Sequence, residues 1–570
     1  MDKLPTEIFN NIFSHLHQAE KVECMLVCRH WASFIRMSCL FNTVTILSNN
    51  YDSDTAIARF ESLTKSLEQN PLLSNQVQHL LLKDCFDYDF DGSILGKQFP
   101  HLRFLFLSNT YVGQNQFTTA QLEQFKSWKN YLEQIIENET ALFTLSLLDA
   151  GVFDCLKTIC LKPDHESVPA PIEERHFKNL KNAPLLTTLK LESLSFPLEY
   201  MEVIHENAPT LKYLTLISIF LEDEVNLPKV ISPANCMKTL CIQDCYLSLS
   251  MQYTWTSYIT RKYTELTGFT FECDVNPVDV IPGTDFAHHL TTPLMRSLGQ
   301  QLKLFHIESI CLSPELFEAI DGNGYELQDI KLNRTASPLF LEKLFRSNQA
   351  QYIQSLTLIH LTDSENFDLL GNLTVLKSLN LDFGSKHNML VDHLHKSPLY
   401  LNKLIKQSPR NLEELTISNT LIEIDTEFDE QPNQTNQLKT LNFTSAKIED
   451  GVTNFIANTC PKLSIISLIK CATPVLEFSL PSHDLTCFEI VGHFVSSTFI
   501  LTRAGETVHF SVPEDGNPTK YCYESFINEN TRPFYSLCKP VPPNEVNLKL
   551  RTQLTCRSVR SLFINGQLVV

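Results

Sequence analysis

Few residues in this chain have the types and spacings that catalysis or metal binding requires. The sequence lacks a G-x-x-x-x-G-K-[ST] phosphate loop, a G-x-G-x-x-G dinucleotide motif, an H-E-x-x-H zinc motif and a G-x-S-x-G nucleophile motif. His288 and His289 are adjacent but have no third ligand at a useful spacing, and no second pair follows Cys24 and Cys28 at zinc-finger spacing. We therefore predict a non-enzymatic protein with no catalytic residues, no metal site and no cofactor.

The composition disfavours several other functions. Lys and Arg number 46 against 65 Asp and Glu, and the resulting net charge of −19 opposes binding to nucleic acid or to an anionic membrane. The sequence has no apolar run of about 18 residues to span a membrane, and its acidic, amphipathic start is unlike a signal peptide. The 17 scattered cysteines then predict reduced, packed thiols in a cytoplasmic or nuclear protein.

The main regularity of the chain is a short pattern, L-x-x-L-x-L, that returns about fifteen times. Most copies start about 22 to 30 residues after the previous one, close to the 20–29-residue period of leucine-rich repeats. Alternating leucines predict a strand with one buried face, and a proline before the pattern, as in APTLKYLTL, separates a helix from that strand. The copies start at Val77, Leu102, Leu156, Leu186, Leu211, Met237, Tyr263, Leu302, Leu327, Ile353, Leu376, Leu412, Leu438, Leu463 and Leu485.

This organisation resembles the long, helix-containing leucine-rich repeat. The resemblance implies an α/β solenoid with a parallel sheet on its concave face and helices and loops on its convex face. Longer steps predict insertions near residues 111–155, 274–300 and 385–410. The first of these longer steps, 54 residues from Leu102 to Leu156, is close to two periods, so it is either a helical insertion or a repeat with a degenerate strand.

A different pattern occupies the N-terminus. Leu4, Ile8, Ile12 and Leu16 recur every four residues and predict a helix with a wide apolar stripe, which a few short helices cannot bury by themselves. The stretch from about Leu4 to Ile46 resembles the F-box, through which a family of proteins docks onto a Skp-type adaptor. The matching positions are Leu4-Pro5, Glu7-Ile8, Ile12, Leu16, Val27-Cys28-Arg29 and Trp31.

The F-box resemblance departs at Glu20-Lys21, where the family has an aspartate-leucine pair. The resemblance as a whole implies that the chain is a non-catalytic substrate receptor of a Skp–cullin–F-box ubiquitin ligase. Such a receptor reaches the cullin scaffold through the adaptor. Part of the apolar stripe should then stay exposed for that partner. The residues expected to bind the adaptor are Leu4, Pro5, Ile8, Ile12, Leu16, Val27, Cys28 and Trp31.

Two alternatives to the receptor role stay open from the sequence. In the first, the chain is a scaffold that uses its F-box and repeats outside degradation; in the second, it is a pure interaction module with a nonfunctional F-box-like cap. In each case we expect an F-box at 1–47, a helical connector at 48–75, a solenoid of about fifteen strands at 76–495 and a C-terminal cap at 496–570.

A protein target is expected on the concave sheet, on side chains between the repeat leucines. A phosphorylated or acidic target would suit the lysines there, because Lys binds phosphate as a point charge. A solvated face is the simpler interpretation of any single lysine. The candidate residues are Lys83, Phe104, Phe106, Lys162, Lys190, Tyr213, His306 and Lys331.

Overall fold

The structure is a computed structural model of the 570-residue chain. It forms two compact units, residues 1–283 with 297–299 and residues 284–296 with 300–570, and each unit is described by itself below. The described residues are 8–9, 12–13, 16, 18–38, 41–47, 53–85, 90–110, 117–140, 143–163, 170–220, 227, 230–245, 249–272, 301–307, 315–322, 324–333, 339–359, 361, 367–384, 398–427, 437–449, 451–473, 476–491, 494–495, 507–514, 517–526, 534–538, 552–564 and 567–568.

The first unit contains a parallel sheet of nine strands within its described residues. Each strand pairs in register with the next, as Leu80 with Leu105 and Leu105 with Ile135. Side chains alternate between a buried and an outward-facing position, as the L-x-L spacing predicts. In sheet order the strands are β1 (Thr43–Leu47), β2 (His79–Lys83), β3 (Phe104–Ser108), β4 (Gln134–Thr140), β5 (Thr158–Pro163), β7 (Thr188–Glu192), β9 (Tyr213–Ile217), β10 (Thr239–Gln243) and β11 (Gly268–Glu272). Two-residue strands β6 (Ala170–Pro171) and β8 (Leu194–Ser195) pair separately.

Helical segments return the chain from one strand to the next. Pro184 and Pro209 each follow a helical end and precede a strand, which is the position that the sequence predicts for them. The α-helices are α1 (Gln18–Cys24), α2 (Arg29–Ser38), α3 (Ser53–Gln69), α4 (Pro71–Ser74), α5 (Ser93–Gln98), α6 (Thr119–Gln124), α7 (Phe143–Asp149), α8 (Glu174–Lys178), α9 (Tyr200–Asn207) and α10 (Leu249–Lys262), with 3-10 turns at Lys126–Asn130 and Asn179–Asn182.

The sheet begins earlier than the sequence predicts. β1 pairs in parallel with β2 along its whole length, so residues 43–47, the end of the segment predicted as a helical F-box, form a strand of the sheet. The predicted connector at 48–75 contains α3, the return segment between these two strands, and α3 buries Ala56, Phe60 and Leu67. The segment predicted as an F-box and the strands that follow it therefore share β1.

The 54-residue step contains a complete repeat, which corrects the insertion predicted near 111–155. β4 pairs with β3 on one side and with β5 on the other. Leu132 and Ile135 fill the first two core positions of this repeat and are fully buried. The third is Glu137, and because this residue is not apolar, the repeat does not match the L-x-x-L-x-L pattern.

Glu137 is fully buried and accepts hydrogen bonds where the other repeats have an apolar side chain. Its Oε2 accepts from the Thr140 hydroxyl at 2.6 Å and from the Phe143 N–H at 2.8 Å, and its Oε1 accepts from the Thr144 N–H at 2.5 Å. Burial raises the pKa of the Glu137 carboxyl, and the bonds from Thr140 and Thr144 oppose that rise. The carboxylate thus satisfies the first N–H groups of α7.

Two buried cysteines, Cys85 and Cys471, occupy equivalent turns, each directly after a strand of the sheet. Cys85 Sγ lies 3.2 Å from the Ile46 carbonyl oxygen, and Cys471 Sγ lies 3.2 Å from the Phe443 carbonyl oxygen. Burial raises the pKa of Cys85 to about 11 and that of Cys471 to about 12, so these thiols stay protonated. Their role in packing agrees with the interpretation from sequence.

The second unit repeats the same organisation. Its parallel strands are β12 (Leu304–Ile307), β13 (Asp329–Asn333), β14 (Ser355–Ile359), β15 (Ser378–Asp382), β17 (Glu414–Ser418), β19 (Thr440–Thr444), β21 (Ile465–Ile469) and β23 (Leu476–Val491). Short strands between the main strands pair in parallel to form a second, small sheet. They are β16 (Leu399–Tyr400), β18 (Leu421–Glu423), β20 (Lys447–Ile448), β22 (Ala472–Thr473) and β24 (Phe494–Val495). The helices are α11 (Glu315–Gly322), α12 (Leu339–Arg346), α13 (Leu401–Gln407) and α14 (Val452–Thr459), with 3-10 turns at Asn348–Gln351 and Leu370–Asn372.

The pairing changes after β23. This strand pairs in parallel with β28 (Thr552–Ile564), while β25 (Thr507–Glu514), β26 (Asn517–Phe526) and β27 (Phe534–Cys538) form an antiparallel series. β28 also pairs with β29 (Gln567–Leu568) as an antiparallel hairpin. The cap at 496–570 stays a prediction. The insertion predicted near 274–300 and residues 385–397 of the insertion predicted near 385–410 lie outside the described residues, whereas residues 398–410 contain β16 and α13. In the described part of the chain, no helix is long and apolar enough to cross a membrane.

A buried polar network joins α9 to α10 in the first unit. Glu202 accepts a hydrogen bond from the Tyr258 hydroxyl at 2.6 Å and one from the buried Lys262 ammonium at 2.7 Å. His205 Nε2 lies 2.8 Å from the Tyr263 hydroxyl oxygen. Burial, with a smaller contribution from Lys262, lowers the pKa of His205 to about 3.

We expect His205 to make the first unit sensitive to acid. Its folded pKa of about 3 lies below the unfolded value near 6.5, so between these values the unfolded chain binds a proton that the folded chain does not. The free energy of unfolding should therefore fall as the pH is lowered from about 6.5 to about 3, by about 2 kcal/mol at pH 5. Urea unfolding of wild type and His205→Gln at pH 8 and pH 5 checks this, and an equal loss in both proteins would contradict it.

A second prediction concerns Glu137. Glu137→Leu restores the repeat leucine but removes the acceptor of the buried Phe143 and Thr144 N–H groups, so it should lower the free energy of unfolding by about 2 to 5 kcal/mol. Glu137→Gln keeps the shape and one acceptor oxygen and should cost less. Urea-unfolding midpoints of the three proteins give the order, and a more stable Glu137→Leu variant would show that the carboxylate has no structural role.

Candidate functional site

The N-terminal helices pack around a small aromatic core. Phe9, Phe13 and Ile35 are buried, and Trp31 and Phe34 pack against them with part of their surface exposed. The rings of Phe9 and Phe34 lie 5.2 Å apart between centroids, and those of Phe13 and Trp31 meet edge to face at 5.4 Å. Phe9 and Phe13 therefore hold α2 against the first helical residues, 8–9 and 12–13.

Three residues predicted to bind the adaptor lie on the outside of this core. Ile8, Ile12 and Val27 are 44%, 49% and 64% exposed, although each is a large apolar side chain. Val22 and Leu26 are exposed with them, at 48% and 84%. Five large apolar side chains that are exposed within residues 8–27 of one helical region suit an interaction site. We call Ile8, Ile12, Val22, Leu26 and Val27 the apolar docking patch.

The other predicted adaptor residues have different surroundings. Leu16 and Trp31 are half-buried and pack against the aromatic core, so at least part of their role is to hold the helices together. Leu4 and Pro5 lie outside the described residues. Sequence reasoning did not assign Leu26 to the site, and the signal it missed was the turn after Cys24, which places Leu26 outward.

Cys28 has a structural role at the start of α2. It directly precedes the helix, and its Sγ accepts a hydrogen bond from the Trp31 N–H at 3.4 Å. This is the N-cap position, where a side-chain acceptor satisfies a free N–H of the first turn. Cys28 thereby fixes the direction in which α2 leaves the turn that carries Leu26 and Val27.

The second candidate site is the open face of the first unit's sheet, formed by the outward-facing strand residues. Phe106 pairs with Leu81 on one side and with Ile136 on the other. Phe104 is half-buried, Tyr213 is 46% exposed, and Lys83 is exposed at the end of β2. The structure thus places these predicted residues on one surface, together with Ile136, which the degenerate repeat concealed.

Two predicted lysines of this face are neutralised by carboxylates. Lys162 Nζ lies 3.1 Å from Glu139 and 3.3 Å from Glu192, and Lys190 Nζ lies 3.0 Å from Glu192. Burial raises the pKa of the Glu192 carboxyl, but the hydrogen bonds and charges of Lys190 and Lys162 together outweigh burial and lower that pKa. The carboxylate therefore stays charged. These paired lysines are poor candidates for binding a phosphate.

His306 and Lys331 face outward in the second unit, on the paired strands β12 and β13. His306 Nε2 lies 3.1 Å from Asp329 Oδ1. Burial raises the pKa of Asp329, but its hydrogen bond with His306 outweighs that effect and lowers it. His306 is therefore engaged within the sheet. Among the described residues, no group of His, Cys, Asp and Glu side chains is arranged to hold a metal ion.

The capping role of Cys28 gives a prediction about stability. Cys28→Ser supplies a stronger acceptor and should match or exceed the wild-type thermal midpoint, whereas Cys28→Ala should destabilise the helical region by about 0.5 to 1 kcal/mol. Circular dichroism melting of the three proteins provides the comparison. Equal melting of the Ser and Ala variants would remove the cap from the account.

Comparison with known proteins bears on the first of these sites. A search of curated proteins found no match to the chain. A family model described as F-box-like matches residues 1–46, the segment that carries the apolar docking patch. This F-box-like domain supports a role as an F-box adaptor protein of Skp–cullin–F-box ligases.

Proposed function

We propose that this protein is the substrate receptor of a Skp–cullin–F-box ubiquitin ligase. The observation that carries the proposal is the apolar docking patch, which lies on the outside of an F-box-like domain. In water these side chains gain nothing from exposure, whereas burial against an adaptor helix contributes roughly 1.5–3 kcal/mol for each large side chain, before entropy losses.

The remainder of the chain suits target recognition. We take the two parallel sheets to be leucine-rich repeats, because their strands recur with the repeat period and their leucines form the core. Such a sheet presents a broad, rigid open face. The chain would hold a protein target there while a separate enzyme transfers ubiquitin, so its contribution is to raise the effective concentration of the target.

The proposal assigns no chemistry to this chain. Its expected partners are a Skp-type adaptor, a cullin scaffold reached through that adaptor, and a protein target. With such partners, we propose a cytoplasmic or nuclear location for the protein.

Adaptor binding is tested by charging the docking patch. Ile12→Asp with Val27→Asp should lower the affinity for a purified Skp-type adaptor about 100-fold, because two apolar contacts are replaced by charges that lose water on binding. Leu4→Ala with Pro5→Ala, at the start of the F-box motif, should also weaken binding. Isothermal titration calorimetry on full-length protein measures both effects.

Leu72→Asp with Val230→Asp is the matched control, because both side chains are apolar and exposed, at 68% and 75%, away from the F-box-like domain. The control should bind the adaptor as wild type does. An unchanged affinity of the Ile12/Val27 variant would refute the docking patch. Adaptor binding without cullin association would instead favour a scaffold outside degradation.

A further inference from the structure

The open face of the first unit contains a continuous apolar stripe. Leu81, Phe106, Ile136 and Cys160 occupy the middle outward position of β2, β3, β4 and β5, and each is directly paired with the next. All four are half-buried, so part of their surface is open to solvent. We call these four residues the apolar track. Phe104 lies beside it on β3 and adds a second half-buried aromatic ring.

The fold does not require apolar residues at these positions. In the next two strands of the same sheet the middle outward position holds Lys190 and Thr215. In the second unit it holds polar side chains that bond to one another, as Asn442 to Thr416 at 3.2 Å and Ser467 to Glu489 at 2.9 Å. A strand at this place in the repeat therefore forms equally well with threonine. The apolar track is a local property of four neighbouring strands.

A basic rim borders the track. The residue immediately before the strand is Gln78 for β2, Arg103 for β3, Glu133 for β4 and Lys157 for β5, whereas beyond the track it is Thr187 for β7, Lys212 for β9 and Lys238 for β10. Glu133 lies 3.8 Å from Arg103 and 2.6 Å from Lys157, and its hydrogen bond with Lys157 lowers its pKa. Beside the track, this side of the sheet therefore holds two cations and one anion, a net charge of +1 in a chain whose net charge is −19.

The opposite side of the track has no such excess. There Lys162 is balanced by Glu139 and Glu192, and Lys83 is followed by Asp84 in the sequence. The electrostatic potential is therefore more positive on the side of the track that contains Arg103 and Lys157 than on the opposite side. A partner that lies along the track meets cations on one flank only.

We infer that the apolar track and the basic rim together bind a short, extended protein segment that carries aliphatic or aromatic side chains flanked by acidic residues. This inference rests on the proposed function and names the class of target. Four adjacent strands span about 14 Å, which an extended segment of about five residues crosses. Its apolar side chains would cover the track, and its carboxylates would pair with Arg103 and Lys157.

Selection from a displayed library of random peptides, each about 12 residues long, tests the inference on the full chain bound to its adaptor. We expect the enriched peptides to combine Leu, Ile, Phe or Tyr with Asp or Glu. A synthetic peptide of the enriched type should then bind with an affinity that falls as salt is raised. Enrichment of basic or purely polar peptides, or no enrichment at all, would overturn the inference.

Variants locate the binding on the sheet. Ile136→Thr with Phe106→Thr should weaken the selected peptide at least about tenfold, since the contact loses most of two apolar side chains. Ile217→Thr makes the same change at a half-buried outward position of β9, outside the track, and should leave binding unchanged. If it weakens the peptide as much as the double variant does, the track is not the site.

Charge reversal tests the rim. Arg103→Glu should weaken the peptide about threefold or more and reduce the dependence on salt, whereas Lys65→Glu on α3 makes an equal change of charge away from the rim. Equal effects of the two reversals would show that only the net charge matters and would overturn the role of the rim. Adaptor affinity measured on the same preparations separates the two claims. If the wild-type protein does not bind the adaptor, the proposed function is refuted. If it binds the adaptor but no variant changes peptide binding, only this inference is refuted.

Discussion

The structure depends on one packing constraint, the burial of the repeat leucines between a parallel sheet and the helices that return over it. Leu80, Leu105, Leu189 and Leu214 are all fully buried, and in-register pairing stacks them strand by strand. Because side chains alternate along a strand, burying one set turns the residues between them outward. The same constraint that builds the core thus creates an open face whose composition is free to vary, and the two candidate docking surfaces lie outside the leucine core.

The two surfaces differ in how they are built. At the N-terminus a few short helices bury Phe9, Phe13 and Ile35 and have too little volume to bury the rest, so Ile8, Ile12 and Leu26 stay exposed. On the sheet, Phe106 and Ile136 are only partly covered because neighbouring strands hold them side by side. The first surface suits the insertion of apolar side chains between helices, and the second suits an extended segment lying across strands. A receptor needs both, one for the ligase and one for the target.

Much of this was predictable from sequence, because the signals were periodic. The L-x-x-L-x-L spacing predicted the buried strands, and its resemblance to leucine-rich repeats implied the parallel, mixed α/β fold. The resemblance of residues 4–46 to the F-box implied the F-box-like domain. What could not be predicted depended on exceptions to a period. Glu137 occupies a leucine position, and only the N–H groups of Phe143 and Thr144 explain how a carboxylate is tolerated there. The pairing of Lys162 with Glu139 and Glu192 likewise depends on strand register, which no single strand's sequence contains. The beginning of the sheet at Thr43 was missed because β1 lacks the leucine pattern.

The central claim is that the F-box-like end of the chain binds a Skp-type adaptor through side chains that the folded protein leaves exposed. Hydrogen–deuterium exchange of the full chain, with and without purified adaptor, tests this most directly because it reports on each segment without any substitution. The account predicts slower exchange on adaptor addition in residues 8–13 and 22–31, with the strands of the second unit unchanged. Exchange in residues 8–31 that the adaptor leaves unaltered would contradict it.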